Sequence, residues 1–161
     1  MDPRAAQLIE TLGLEPHPEG GYYRQTYRSL SLVQPGVDRP TRSALTTIYF
    51  LLTAGDVSRW HIVSSDEVWH FYEGAPLEIF VADRAFSGIE RRQLGRVGSD
   101  TKPVRVVAAH EWQAARSTGP FTLVGCTVAP GFEFADFSLL RDDAAKAEDV
   151  RQRHPDVTGF I

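Results

Sequence analysis

The stretch GDVSRWHIVSSDEVWHFYEG, Gly55 to Gly74, holds the side chains best suited to chemistry: His61, Glu67 six positions later, and His70 three further on. An imidazole beside a carboxylate can exchange protons near neutral pH, and the same pair can ligate a divalent transition metal. A third reading needs no chemistry, only a hydrogen-bonded cluster inside a sheet. Alternation along extended chain sorts the side chains by face. His61 and Val63 share one face, and after a turn at Ser64-Ser65-Asp66, Glu67, Trp69 and Phe71 share another. Val68, His70 and Tyr72 point the opposite way. If the His61 and Glu67 faces coincide, the two groups converge inside a barrel and His70 stays out. Glycine at both ends lets the chain turn sharply between strands.

The elements that must position this pair read as mostly β. MDPRAAQLIETLG reads as a short helix, with Asp2 as its N-cap, Pro3 in the first turn and Gly13 ending it. PHPEGG breaks the chain before YYRQTYRS, a strand with Tyr22, Arg24 and Thr26 on one face and Tyr23, Gln25 and Tyr27 on the other. Residues 30–42 read as a loop, and ALTTIYFLL as a strand buried on both sides. Further strands are expected at 76–83, 91–95 and 103–116, then two in 121–140 broken at Pro130-Gly131. Residues 142–153 favour a terminal helix. Many short strands at this spacing suggest an all-β sandwich or barrel.

Bulk properties narrow the function classes. The 161 residues suit one domain, 1–161, and a net charge of −4 with no basic run argues against nucleic acid as a partner. Cys126 is the single cysteine, so no intrachain disulfide can form, and a reducing compartment is expected. No apolar run at the N-terminus or elsewhere reaches secretory or membrane-spanning length, so the expectation is a cytoplasmic protein with no membrane partner.

Gly55, His61, Val63, Glu67 and Gly74 fall on the spacing of the first cupin motif, in which glycine, His-x-His, glutamate and glycine follow at set intervals. Every fixed position agrees except the second histidine, which here is Val63. The second motif fits AAHEWQAARS loosely, with Gln113 at its histidine. The chain resembles the cupin superfamily. It is most similar to a group of small single-domain cupins of unassigned function, through EGGYYRQTYRS, RSALTTIYFLL, SRWHIVSSDEVWHFYEG, GPFTLVGCTVAPGFEFADF and RHPD. The resemblance implies a cupin-type double-stranded β-helix, a jelly-roll barrel with short N- and C-terminal helices, often dimeric, with a fold like that of dTDP-sugar epimerases.

A cupin metal centre uses three histidines and a glutamate. With Val63 and Gln113 at two of the histidine positions, His61, Glu67 and Gln113 are left as weak ligand candidates. No cofactor is therefore expected, a divalent metal being the exception allowed. The same three residues are the catalytic candidates: His61 as base, with Glu67 and Gln113 orienting it, as in a metal-independent epimerase or isomerase. Tyr22, Tyr23, Tyr49, Tyr72 or Asp136 could supply an acid. Trp69, Phe71 and Phe134 could stack a small polar or carbohydrate-like ligand, with Tyr49 and Asp136 also lining it. Trp60, Trp112 and Phe132 belong to the same aromatic supply. Arg24 could clamp a carboxylate or phosphate, or sit exposed and paired with Glu19. His17, His110 and His154 read as solvent-facing. A non-catalytic binding or sensing module is the alternative, and a metal-dependent enzyme the third reading.

Overall fold

The computed structural model describes residues 1–161. Asp2 accepts from the backbone N–H groups of Arg4 and Ala5 and so caps α1 (Pro3–Leu12), which ends at Gly13. The strands follow as β1 (Glu15–Pro16), β2 (Tyr22–Arg28), β3 (Leu32–Val33), β4 (Arg42–Ser43), β5 (Thr46–Thr53), β6 (Val57–Val63) and β7 (Asp66–Gly74). After them come β8 (Leu77–Ala82), β9 (Ile89–Leu94), β10 (Thr101–Lys102), β11 (Val104–Val107), β12 (Trp112–Ser117), β13 (Phe121–Ala129) and β14 (Phe137–Leu139). A second helix, α2 (Ala144–Arg153), precedes a 3-10 turn at Pro155–Phe160. The expected 30–42 loop holds the small β3–β4 hairpin. None of the helices is long and apolar enough to cross a membrane.

Two six-stranded sheets form a jelly roll, ordered β1-β2-β5-β13-β7-β11 and β10-β9-β8-β12-β6-β14. Consecutive β6 and β7 belong to opposite sheets, so the turn at 64–65 carries the chain across the barrel. That crossover lets His61 and Glu67 approach from facing walls. Between the sheets pack Phe50, Leu52, Trp69, Ile79, Val81 and Val124. A second cluster joins Trp60, Phe80, Phe86 and Trp112 to Val150 of α2 and to Phe160. Ala5 and Leu8 of α1 cover Leu51, Phe121 and Leu123 on the back of the first sheet.

Three β-bulges interrupt the alternation, one of them in β7, where Glu73 lies opposite Leu123 but Phe71 lies opposite Val124. In β2, Gln25 lies opposite Ile48 but Tyr27 lies opposite Thr47, so one extra residue reverses the facing from there on. In β6, His61 lies opposite Gln113 while Ser58 lies opposite Ala115, again one residue too many. Ser58 and His61 therefore share a face although an even spacing would be needed in a regular strand.

The glycines bounding the 55–74 stretch both adopt positive φ, 87° at Gly55 and 98° at Gly74. They differ in their surroundings. A Cβ on Gly74 would lie 2.4 Å from the Phe121 carbonyl oxygen, whereas nothing lies within 4 Å of one on Gly55. Gly55→Ala is expected to cost only the left-handed backbone strain, ~1–2 kcal/mol. Gly74→Ala should cost measurably more, because β7 or β13 must shift. Thermal unfolding of both variants checks this, and equal losses would contradict it.

Candidate functional site

One cavity, of about 250 Å³, opens between the sheets. His61 and Val63 of β6 reach it from one sheet, and Glu67 of β7 reaches it from the other. His70 is not in its lining. β2 contributes Tyr23 and Gln25 before its bulge and Arg28 after it. The segment from β1 to β2 adds His17 and Glu19, and the 132–137 connection adds Phe132, Phe134 and Phe137.

Glu19 sits at the centre of the polar contacts and is 6% exposed. Its Oε1 accepts from the Ser58 hydroxyl at 2.7 Å, and its Oε2 lies 3.4 Å from His61 Nε2 and 3.5 Å from His17 Nδ1. The bulge in β6 makes the Ser58 contact available. It also receives the Glu19 main chain, whose carbonyl accepts from Arg59 N–H at 2.9 Å. Gly20 makes this approach sterically feasible: a Cβ there would lie 2.1 Å from the Val57 carbonyl oxygen. Burial raises the Glu19 carboxyl to about 8, against a smaller opposing effect of the Ser58 bond. The carboxyl therefore keeps its proton at neutral pH.

His61 Nδ1 lies 2.7 Å from the Arg59 carbonyl oxygen, a contact only a donor can make. The proton is thus on Nδ1, and the Nε2 lone pair faces the Glu19 carboxyl. Burial lowers the His61 pKa, with the Glu67 charge opposing. His17 Nδ1 accepts from Glu19 N–H at 3.3 Å. Burial, then the neighbouring His61, lowers His17 to about 4. Glu67 is raised, first by burial, while the Gln113 bond opposes. The Cys126 thiol, buried beside Glu67, is raised well above its ordinary value. Burial thus disfavours the charged form of each of these groups.

Gln113 is 1% exposed and lies behind Glu67, outside the cavity lining. Trp69 Nε1–H donates to its Oε1 at 3.0 Å, which turns its amide group toward Glu67 Oε2 at 2.5 Å. The structure thus joins His61 and Glu67 in one cavity, and connects Gln113 to them through Glu67.

Of the proposed ligand contacts, Phe134 lines the cavity and is 52% exposed. Five others do not. Arg24 is exposed on the outer face and donates to the Gly13 carbonyl, because residues of its parity before the bulge face outward. Tyr49 packs on the outer face against Tyr72 and the α1 cluster. Trp69 and Phe71 are taken up by the core deeper between the sheets. Asp136 is held by Arg42 at 2.8 and 3.0 Å and by Arg39 at 3.2 Å. Trp60 and Trp112 belong to the α2-side core, and Tyr22 packs near α1.

His110 is exposed as expected, but His154 is half-buried with Nε2 on the Phe86 carbonyl. His17 is a correction: its side chain is 6% exposed, with its ring 4.5 Å from that of Tyr23. Glu19 likewise does not pair with Arg24. A histidine and a glutamate two residues apart, in a stretch stiffened by Pro16 and Pro18 and followed by two glycines, were the signal for this missed half of the site.

The chain matches the family described as "Cupin superfamily (DUF985)" over residues 6–140. It belongs to that family. A solved protein from Shewanella oneidensis shares 34% identity at a TM-score of 0.85, covering 97% of this chain and 95% of its own. A hypothetical protein from Leishmania major shares 29% identity at 0.83, over 98% and 96%. Oxalate decarboxylase from Bacillus subtilis shares 11% identity at 0.59, over 86% of this cupin and 33% of the decarboxylase, a likeness of fold alone. No curated protein matches the chain.

The three-histidine, one-glutamate centre of metal cupins does not fit these residues. Val63 is apolar, and both ends of the Gln113 amide are engaged away from the cavity. No group of three or more His, Cys, Asp or Glu side chains is gathered as a ligand set.

The buried titrations give a pH signature. Glu19 rises from an ordinary 4.5 to about 8, so its contribution to stability is full below 4.5 and lost as pH rises through 8. His17 falls from 6.5 to about 4, so its contribution is present above 6.5 and lost as pH falls through 4. Between about pH 7 and 8, where the unfolded imidazoles are mostly neutral and Glu19 still holds its proton in the fold, stability is expected to decline. Glu19→Gln should flatten that decline. Denaturant unfolding across this range, with an unchanged slope in the variant, would contradict the assignment.

Proposed function

We propose that this cupin binds a small polar ligand, of about carbohydrate size, and passes one proton to or from it without a metal. The supporting observation is the His61 tautomer. With Nδ1–H tied to the Arg59 carbonyl, the Nε2 lone pair is aimed at the Glu19 carboxyl 3.4 Å away. A base and an acid whose environments shift their pKa values in opposite directions are the pattern of a proton-transfer site. His61 is the base, Glu19 carries the proton, and Glu67, held by Gln113, orients what lies between them. An epimerase or isomerase is the reaction class that uses such a pair. Phe132 and Phe134 offer ring faces at the cavity.

A second reading, binding or sensing without turnover, is favoured by His61 being 2% exposed with both ring nitrogens engaged. Incubating the protein with a small-molecule extract in D₂O, with chelator present, separates the two. Turnover predicts carbon-bound deuterium in a component of the extract, seen by mass spectrometry and lost in His61→Gln. Retention of a component without exchange supports the binding reading.

The chain also has the features of a homodimer. Tyr27, Leu30, Leu32 and Val37 are exposed along β2 and the β3–β4 hairpin, and the first sheet leaves an edge at β1. Exposed apolar groups beside a sheet edge favour pairing with a second copy. Light scattering should give about twice the 17.9 kDa chain mass at micromolar concentration; the monomer mass would refute this.

A further inference from the structure

The cavity holds more acid than base. Glu19 and Glu67 face it from the N-terminal segment and from β7, and Glu15 and Glu133 also border it. The guanidinium in its lining, Arg28, is bound by Glu133 at 2.6 Å and by the Phe132 carbonyl at 3.2 Å. No lysine lines it. Aromatic rings wall the same space, among them Tyr23, Phe50 and Phe137. Two buried carboxyls without a counter-charge, enclosed by aromatic rings, form the inverse of an ammonium group.

We infer that the ligand of this cavity is a small organic cation, a primary amine, whose ammonium lies between the Glu19 and Glu67 carboxylates against the aromatic wall. The inference rests on the reading of the cavity as the ligand site and specifies its chemistry. An ammonium has three N–H donors. Glu19 Oε2 and the Glu67 oxygen that Gln113 leaves free can accept two of them, and His61 Nε2 the third. A carboxylate ligand would meet four glutamates and only one, already paired, arginine.

Binding carries a proton balance. The free site holds Glu19 as the acid, so an arriving ammonium displaces that proton to the buffer and leaves a carboxylate–ammonium pair. The other groups facing Glu19 are His17 on its own segment, His61 and the Ser58 hydroxyl on β6, Glu67 on β7 and Cys126 on β13. Arg59 Nη1 donates to the Glu19 main-chain carbonyl at 3.2 Å, not to its carboxyl. In the bound state the Nε2 lone pair of His61 thus faces the ammonium instead of the Glu19 acid.

Calorimetric titration of the full chain with benzylamine, benzyl alcohol and benzoate at pH 7, in phosphate and in Tris, tests this. Benzylamine should bind about tenfold or more tighter than benzyl alcohol, and benzoate weakest of the three. The heat difference between buffers should report close to one proton released per amine bound. Glu19→Gln should abolish that release and weaken benzylamine clearly more than benzyl alcohol; Glu67→Gln serves for the affinity comparison if the first variant does not fold. Benzyl alcohol binding as tightly as benzylamine overturns the cation while leaving the cavity as the ligand site. Failure of all three probes to bind overturns the cavity reading as well.

Discussion

The structure is organised around two carboxyl groups taken out of water with no cation to meet them. An isolated buried carboxylate is costly enough that the group retains its proton instead. Glu19 does so against the opposing pull of the Ser58 bond, and burial pushes Glu67 the same way against the Gln113 bond. Each of these donors must itself be held. Ser58 reaches Glu19 because β6 carries an extra residue, and Gln113 presents its amide because Trp69 claims its oxygen. A chain of single hydrogen bonds, each with one workable orientation, runs from the core to the cavity.

The jelly roll makes this arrangement affordable. Three apolar clusters surround the site: one between the sheets, one beneath α2 and one beneath α1. Burial on this scale tolerates a few uncompensated polar groups at one end of the barrel. Placement of β6 and β7 in opposite sheets then aims the two halves of one sequence motif at each other. The same crossover keeps His70 on the outer side of β7, opposite Gly125.

Within the cupin family this chain keeps the motif's first histidine and its glutamate, and differs at the other two ligand positions. The space that a second histidine would enter is bordered by Val63, and polar groups come from elsewhere, from His17 and Glu19 on the segment before β2. The polar lining of the cavity thus comes from the N-terminal strap as well as from the first motif. Protons replace a metal as the positive charge near the carboxyls in the reading proposed above, and a cationic ligand could take the protons' place.

Much of this was legible in the residues themselves. Asp2, Pro3 and Gly13 mark α1 by local rules, the short alternating strands mark an all-β barrel, and the 55–74 spacing marks the cupin resemblance. The exclusion of His70 from the Glu67 face follows from a period of two over Glu67–His70. The meeting of His61 with Glu67 was conditional in the sequence and was decided by the crossover between the sheets. What alternation could not supply was the facing beyond a bulge. In β2 the extra residue puts Arg28 in the cavity and leaves Tyr27 outside, and Arg24, read as a clamp, is on the outer face. In β6 it brings Ser58 round to His61. A bulge is decided by which partner residues it must meet, and those partners lie tens of residues away. Glu19 and His17 have no periodicity to reveal them, since they sit in a proline- and glycine-rich strap whose path is set by contacts with β6. Local sequence determined the elements and offered His61 and Glu67 as candidates; sheet order and register between distant strands decided that they meet and which other side chains share the cavity with them.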